Sequence, residues 1–342
     1  MLTERQLLIL QIIIDDFIRS AHPVGSRTLA KKKGINFSSA TIRNDMADLE
    51  ELGLIEKTHT SSGRVPSEKG YRFYVDHLLS PEKLEQHELK MIDELFEESI
   101  FELEKIVQNS AKVLSELTKY TAIVLGPTVE DHKLSKFQII PLNDDSAVAI
   151  IVTNTGHIEH KLFTIPSSIH PTDIEKTVNI LNERLRGVPL SELNSKLMGE
   201  IIQLFKEHLH SYEAMFQSLF TVLNISSNDK LYYGGKINIL KQPEFQDIEK
   251  IKDIIKLMEE EDNFYHLLRT TPFGTHVKIG TEIKVPEMED LSLITATYNI
   301  GEEQFGKIAI LGPKRMNYGK VISLLNLLSK NLTFTLSNLY DE

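Results

Sequence analysis

Apolar residues near the start of the chain recur every three to four positions, which is the spacing of one face of an α-helix. This pattern predicts a first helix that begins at Thr3 and is broken by the His-Pro-Val-Gly segment at 22–25. A short second helix is predicted over 27–33, and a third helix runs to Leu52, where a glycine follows. The residues predicted to cap these three helices are Thr3, Ser26, and Ser38 or Ser39.

The segment after the third helix has the pattern of a short hairpin. Residues 54–58 form a predicted strand, 59–63 a small polar turn, and 64–65 a second strand that Pro66 ends. A fourth helix is expected to begin near Ser67, with apolar side chains at helical spacing. Three helices, a hairpin and a helix within the first 80 residues favour a winged helix-turn-helix, in which the hairpin is the wing.

The remainder of the chain alternates between strand-like and helical segments, after a boundary expected at Ser80-Pro81 and a charged helical stretch from 82 to about 117. Further strands are expected at 121–125, 137–142, 147–152, 158–165, 231–240, 277–284, 291–300 and 305–311. Further helices are expected across 171–223 and at 245–258, 263–269 and 318–340. The sequence therefore predicts an α+β multidomain protein: a winged-helix domain at 1–80, an α+β domain from 81–170 and 231–342, and a largely helical insertion at 171–230.

Charge is distributed unevenly along the chain. The formal net charge is −11, which is unusual for a protein that binds nucleic acid. Residues 1–75, however, hold 11 Lys and Arg against 9 Asp and Glu, and the remainder holds 27 against 40, so the two parts carry +2 and −13. A locally basic module on an acidic body can bind DNA, while the body limits nonspecific binding to the phosphate backbone.

Composition excludes several classes of protein. The 342 residues contain no cysteine, which rules out disulfides, thiolate catalysis and cysteine-ligated zinc and fits a reducing compartment. The chain shows no signal-peptide pattern and no run of 18 apolar residues, so a cytoplasmic protein without a membrane span is expected. The spacings of His157 with His160 and of His208 with His210 put each pair on diverging faces, so no metal site is expected. No cofactor-binding loop or catalytic motif occurs, so neither a cofactor nor an enzyme is expected.

The third predicted helix has the pattern of a DNA-reading helix. Ile42, Met46 and Leu49 are spaced to face the core of the module, and the opposite side is small or polar. On that side Arg43 can pair with guanine or phosphate, and Asn44 can pair with adenine. An ordinary solvent-exposed helix has the same kind of face. In addition, a winged helix can bind a protein instead of DNA. The residues expected to contact DNA are Ser39, Ala40, Thr41, Arg43, Asn44 and Ala47 from the helix and Lys57, Ser62 and Arg64 from the wing.

Several runs in this segment resemble one family. Residues 39–50, SATIRNDMADLE, resemble the signature of the heat-inducible transcription repressor HrcA family, as do 53–55 (GLI), 62–66 (SGRVP) and 70–76 (GYRFYVD). The resemblance is specific over about residues 20–80, and the whole chain fits the family in length and layout. Ser39 stands where family members often have proline, a difference of little weight because serine also caps helices.

The resemblance implies a fold and a function that residue spacing does not reveal. Members of the family repress chaperone operons by binding an inverted-repeat operator called CIRCE, and the GroE chaperonin is thought to keep the repressor active. The central domain is implied to be GAF-like and to carry an inserted dimerisation subdomain. Because GAF-like domains often bind small molecules, a ligand-responsive regulator is the alternative. A protein-interaction module without any preference for a DNA sequence is a third interpretation.

A homodimer is expected, because one winged helix reads too few base pairs to select one site in a genome and an inverted repeat mirrors two-fold symmetry. The helical region 171–223 carries more apolar residues than one helix face needs, so its surplus is expected near the dimer interface, with burial in the core as the alternative. The residues of this set are Leu204, Phe205, Leu209, Phe216 and Leu219. The leucines of the last helix are expected in the core of the second domain.

Overall fold

The structure is a computed structural model, and it describes most of the chain. The described residues are 2–32, 34–58, 63–97, 103–126, 133–143, 145–154, 158–166, 169–223, 231–245, 247–259, 261–300 and 304–340. Within them the chain forms a winged-helix domain, a five-stranded sheet packed between helices, and a three-stranded sheet packed on further helices.

The N-terminal domain has the element order that the sequence predicts. Its elements are α1 (Glu4–Ser20), α2 (Ser26–Leu29), α3 (Ser39–Glu51), β1 (Ile55–Lys57), β2 (Arg64–Pro66) and α4 (Glu68–Phe73), which a π-helical turn continues over Tyr74–Leu78. Two predicted caps are confirmed: Thr3 and Gln6 form a capping box, and the Ser38 side chain accepts a hydrogen bond from the Thr41 amide at 3.1 Å. The strands β1 and β2 pair in antiparallel register as the wing.

The second helix differs from its prediction. It covers four residues rather than 27–33, and Ser26 is its first helical residue, whereas Gly25 takes the cap position without a side-chain hydrogen bond. The Ser26 hydroxyl lies 3.2 Å from the Ser39 hydroxyl, so this serine joins the starts of α2 and α3. Capping rules consider only neighbouring backbone groups, and they therefore missed a contact with a residue on another helix.

The remaining elements follow in chain order. The helices are α5 (Gln86–Glu97), α6 (Leu103–Thr118), α7 (Pro171–Leu185), α8 (Leu193–Lys196), α9 (Ile202–His208), α10 (Tyr212–Leu223), α11 (Ile248–Glu259), α12 (Glu261–Arg269) and α13 (Tyr318–Tyr340). The strands are β3 (Thr121–Leu125), β4 (Leu134–Asn143), β5 (Ser146–Thr153), β6 (Ile158–Thr164), β7 (Leu231–Gly234), β8 (His276–Ile279), β9 (Leu291–Ile300) and β10 (Gln304–Pro313).

A five-stranded antiparallel sheet in the order β7-β3-β10-β9-β8 forms the centre of the second domain. Helices α6 and α13 pack on one face, where the core is continuous with that of the winged helix, and α11 and α12 cover the other face. As expected, the leucines of the last helix are buried against this sheet. They are Leu324, Leu325, Leu328, Leu332 and Leu336.

Two strands of this sheet are shorter than predicted, and a glycine ends each. The predicted strand 231–240 stops at Gly234, because Gly235 has a φ of 61° and leads into a 3-10 helix. The predicted strand 277–284 stops at Ile279, because Gly280 has a φ of 53° and begins another 3-10 turn, Gly280–Ile283. Apolar residues continue past both glycines, so the spacing pattern alone concealed the turns.

The strands β4, β5 and β6 pair with one another in a second antiparallel sheet, and they share an apolar core with helices α7 to α10. The boundary predicted at 170 and 171 falls inside this packed unit, between the sheet and its covering helices. We therefore propose that the inserted subdomain begins near 133 rather than at 171. Sequence order favoured grouping these strands with the central sheet, and only the pairing partners separate them.

Substitution of Gly70 by alanine tests the packing of α4 on the wing. A Cβ at this position would overlap the carbonyl oxygen of Leu54, which is backbone and has little freedom to move. We expect Gly70→Ala to lower the free energy of unfolding by about 1–3 kcal/mol in urea titrations. The matched control is Gly199→Ala in the π-helical turn Leu197–Ile201, where a Cβ meets no atom within 4 Å. Equal stability of the two variants would contradict the proposed close approach.

Candidate nucleic-acid interface

Helix α3 turns its small and polar side outward. Ile42, Met46 and Leu49 are buried against α1 and the wing, as the spacing predicts. The outward residues Ala40, Arg43, Asn44 and Ala47 are all exposed, and Ser39 and Thr41 lie half-buried at the start of the helix. The six helix residues expected to contact DNA therefore lie together on the free side of α3 or at its N-terminal end.

Polar contacts with α1 fix the orientation of α3. The guanidinium of Arg5 donates two hydrogen bonds to the buried carboxylate of Asp45, at 2.7 and 3.0 Å, and Gln6 donates to Asp48 at 2.9 Å. A bidentate pair of this kind has a defined geometry, which nondirectional apolar packing does not supply. These contacts hold the outward face of α3 at one rotation about the helix axis.

The wing is tied to the end of α3 through Glu50. Arg64 donates to this carboxylate from Nε at 2.8 Å and from Nη2 at 2.7 Å, and the Lys57 ammonium lies 3.1 Å from it. Burial favours a higher pKa for Glu50, but the hydrogen bonds from Lys57 and Arg64 outweigh burial and hold the pKa below its usual value. Arg64, expected from the sequence to reach a groove or phosphate, is thus also a support of the wing, and Ser62 lies outside the described residues.

A basic concavity of about 650 Å³ opens between α2, α3 and the wing. It brings Arg43, Lys57 and Arg64 together, three of the residues that the sequence singled out for DNA contact. Its lining residues are Gly25, Ser26, Arg27, Thr28, Arg43, Met46, Lys57 and Arg64. Sequence analysis missed Arg27 and Thr28; their position on the helix before the reading helix was the available signal.

The five apolar residues expected near a dimer interface occupy two kinds of position. Phe205, Leu209 and Leu219 are buried in the core of the inserted subdomain itself. Leu204 and Phe216 are half-buried. In the single chain, three of the five side chains are thus already covered by their own subdomain.

A second apolar surface in this subdomain is exposed. Strand side chains alternate, so every second residue of β4, β5 and β6 faces away from the helices, and pairing brings Ile140 and Leu162 beside Val148. Leu162 is 69% exposed and Ile158 is 58% exposed. This outer sheet face comprises Lys136, Gln138, Ile140, Val148, Ile150, Val152, Ile158, His160, Leu162 and Thr164.

The central domain contains two concavities outside the winged helix. The sheet face under α11 and α12 is largely apolar, but it includes the buried Lys307, whose ammonium donates to the carbonyl oxygens of Thr271 and Pro272 at 2.7 Å. One concavity of about 240 Å³ lies beside α11 and α12, and another of about 430 Å³ lies between β9 and α13. In the described part of the chain, no three His, Asp or Glu residues form a metal-binding group. Likewise, no described helix has the length and apolar character needed to span a bilayer.

Comparison with solved structures reveals the fold. A crystal structure described only as that of a hypothetical protein shares 24% identity, covers 99% of this chain and 100% of its own, and superposes with a TM-score of 0.68. IclR-family regulators align over similar lengths without close superposition. The Brucella abortus protein shows 12% identity, 97% and 92% coverage and a TM-score of 0.22, and the Thermotoga maritima IclR shows 12%, 98% and 98%, and 0.21.

Comparison with protein families covers both ends of the chain. Residues 1–76 match the winged helix-turn-helix transcription repressor HrcA DNA-binding domain, the segment in which α3 and the wing lie. Residues 104–322 match the HrcA protein C-terminal domain, which takes in the central sheet and its inserted subdomain. A transcription repressor is not an enzyme class, in line with the expectation from the sequence. The chain therefore belongs to the HrcA family of heat-shock transcription repressors and carries that family's winged-helix DNA-binding domain.

Proposed function

We propose that this protein is a cytoplasmic repressor of chaperone operons that binds an inverted-repeat operator of the CIRCE type as a homodimer. The observation that carries the proposal is the free outer side of α3, where Arg43 and Asn44 stand between the small residues Ala40 and Ala47. Small residues let a helix lie deep in the major groove, and the two longer side chains carry the hydrogen-bonding groups that distinguish bases.

The basic concavity supplies the part of binding that does not depend on sequence. Arg27 and Lys57 flank α3 on the α2 and wing sides, at positions where phosphates on either side of a major groove would lie. Contacts of this kind fix the register of the protein on DNA and make its affinity depend on salt. The acidic remainder of the chain keeps nonspecific attraction low, so discrimination depends on the α3 residues.

The outer sheet face is the best candidate for the dimer interface. Six of its ten described residues are apolar, and one lysine and one histidine are the ionisable groups among them. We propose that a second copy of the chain covers this face. An operator with two-fold symmetry requires two winged-helix domains, and a symmetric dimer contact uses the same face of both copies. The half-buried helix residues Leu204 and Phe216 belong to the helices that cover the other side of this sheet, so they are not part of the proposed interface.

Loss of activity on heat stress follows from the same surface. A separated protomer exposes the apolar outer sheet face to solvent, and chaperonins bind chains that expose such surface. We propose that the GroE chaperonin returns separated or partly unfolded chains to the dimer. When damaged proteins occupy the chaperonin, fewer dimers form and repression is lost.

Substitution of the two reading residues should change specificity. Arg43→Ala and Asn44→Ala are each expected to weaken operator binding by about 1–3 kcal/mol and to relax base preference at one position of each half-site. The measurement is a fluorescence anisotropy titration against the operator and a set of single-base variants. Unchanged operator affinity in the double variant would show that α3 is not the reader.

Two arginine variants serve as controls for this experiment. Arg27→Ala removes a proposed phosphate contact, so it should weaken binding to operator and unrelated DNA by the same factor and reduce the salt slope by about 1. Arg184→Ala removes an equal charge from the inserted subdomain, on an exposed side chain paired with Glu183, and should leave DNA binding unchanged.

A charge on the outer sheet face should separate the dimer. Leu162→Glu places a carboxylate at an exposed position, so it is expected to leave the fold intact and to give a monomer at micromolar concentration in light scattering. Met198→Glu, 56% exposed elsewhere in the subdomain, is the matched control and should remain dimeric. A dimeric Leu162→Glu variant would exclude this face as the interface.

The chaperonin proposal predicts a change in the active fraction. Chaperonin with ATP should raise the share of purified protein that binds operator, and excess unfolded competitor should cancel that gain. The share is measured by stoichiometric titration with operator DNA before and after each addition. A constant active fraction in all three conditions would exclude folding state as the regulatory signal.

A further inference from the structure

The GYRFYVD segment at 70–76 makes no contribution to the proposed DNA surface, yet it contacts both the second domain and the rest of the winged helix. Its arginine, Arg72, donates from Nε and Nη2 to the two carboxylate oxygens of Glu282, at 2.9 and 2.5 Å. Nη2 also donates to the carbonyl oxygen of Val277 at 2.7 Å. Arg72 thus binds strand β8 at Val277 and, at Glu282, the 3-10 turn that follows the strand.

Glu68, one helical turn before Arg72 in α4, contacts the same 3-10 turn. Its carboxylate accepts hydrogen bonds from the Thr281 amide at 3.1 Å and from the Thr281 hydroxyl. Gly280 is required between these contacts, since its φ is 53° and a Cβ would overlap the Glu68 carboxylate. One anion and one cation, four residues apart on one helix face, therefore bind Thr281 and Glu282, two neighbouring residues of a single 3-10 turn.

Two tyrosines of the same segment link it to both domains. Tyr71 is buried and its ring centroid lies 6.0 Å from that of Tyr318, the first residue of α13. In the other direction, the Tyr74 hydroxyl donates to Asp15 of α1 at 2.7 Å. Tyr74 also begins the π-helical turn, an irregularity that recurs in proteins where a helix is adapted to a functional contact.

We infer that residues 70–76 are the joint that sets the orientation of the winged-helix domain (the head) on the rest of the chain (the body). Arg72 is then a positioning residue that selects the accepted half-site spacing. This inference rests on the proposed dimer. When two heads are fixed on one dimeric body, their separation and relative rotation are properties of the joint and the body. Each base pair added between half-sites rotates one of them by about 35° around the DNA axis, so a rigid joint tolerates few spacings.

A loosened joint changes binding in a characteristic way. Each head should keep its own contacts with a half-site, because Glu68 and Arg72, which bind β8 and its turn, belong neither to α3 nor to the basic concavity. Once the first head is bound, however, the second head is no longer held beside its half-site. The effective concentration of the second head at that half-site is therefore lower. At other spacings a freer head can reach its half-site, so the preference for one spacing becomes weaker.

The test uses the full-length protein and a series of operators in which the half-site spacing changes in single-base-pair steps. Wild type should show one sharp optimum. Arg72→Gln should bind the optimal operator about tenfold more weakly and show a flatter profile. Its affinity for a DNA with one half-site should equal that of wild type. Arg184→Gln, which changes an arginine of the inserted subdomain, should keep the wild-type profile.

A variant on the other side of the same contact separates positioning from a general effect on stability. Glu282→Gln removes the charge that Arg72 pairs with, while its amide oxygen can still accept the hydrogen bond from the Ile279 amide, so it should flatten the spacing profile as Arg72→Gln does. A spacing profile in Arg72→Gln that matches wild type would overturn the inference. So would an equal loss of half-site and operator binding, because that result would indicate damage to the head itself.

Failure of the inference and failure of the proposed function give different results. If wild type binds no inverted repeat more tightly than a single half-site, the dimeric operator model fails and the joint has no spacing to select. If wild type shows a sharp optimum that Arg72→Gln leaves unchanged, the repressor function stands and only the role of the joint is rejected.

Discussion

Burial of one continuous apolar cluster joins the winged helix to the second domain, and the rest of the structure depends on it. The cluster runs from Ile9 in α1 through Tyr71 and Tyr74 to Leu336 in α13. Apolar burial is strong but has no direction, so by itself it would allow the two domains several relative orientations. The bidentate contacts of Arg5 and Arg72 supply the direction, the first for α3 within the head and the second for the head on the body.

The acidic residues of α3 look unsuited to a helix that enters DNA, and their partners resolve the conflict. Asp45 is buried against Arg5, and Glu50 is held between Arg64 and Lys57 at the C-terminal end of the helix. These carboxylates therefore organise the cations around them instead of repelling phosphate.

Local rules predicted the parts of this protein that depend on neighbouring residues. The capping box at Thr3, the cap at Ser38 and the inward and outward sides of α3 follow from spacing, and so does the order of elements in the winged helix. Contacts between distant segments were beyond such rules. The partner of Arg72 lies 210 residues away, and the pairing that separates β4 to β6 from the central sheet depends on register rather than composition. Arg64 was recognised as a cation near the wing, whereas its engagement with Glu50 required the folded chain.

The exposed outer sheet face places a limit on how this sequence can vary. Ile158 and Leu162 lie on β6, which pairs with β5 and forms one border of the three-stranded sheet. Border strands with apolar side chains are templates for uncontrolled pairing between chains, and charged residues are the usual protection. Charges at these positions would prevent aggregation, but they would also prevent an ordered contact through the same face. The same few side chains therefore affect both the solubility of the chain and its proposed assembly. A charged residue in their place would raise solubility and weaken the contact between copies.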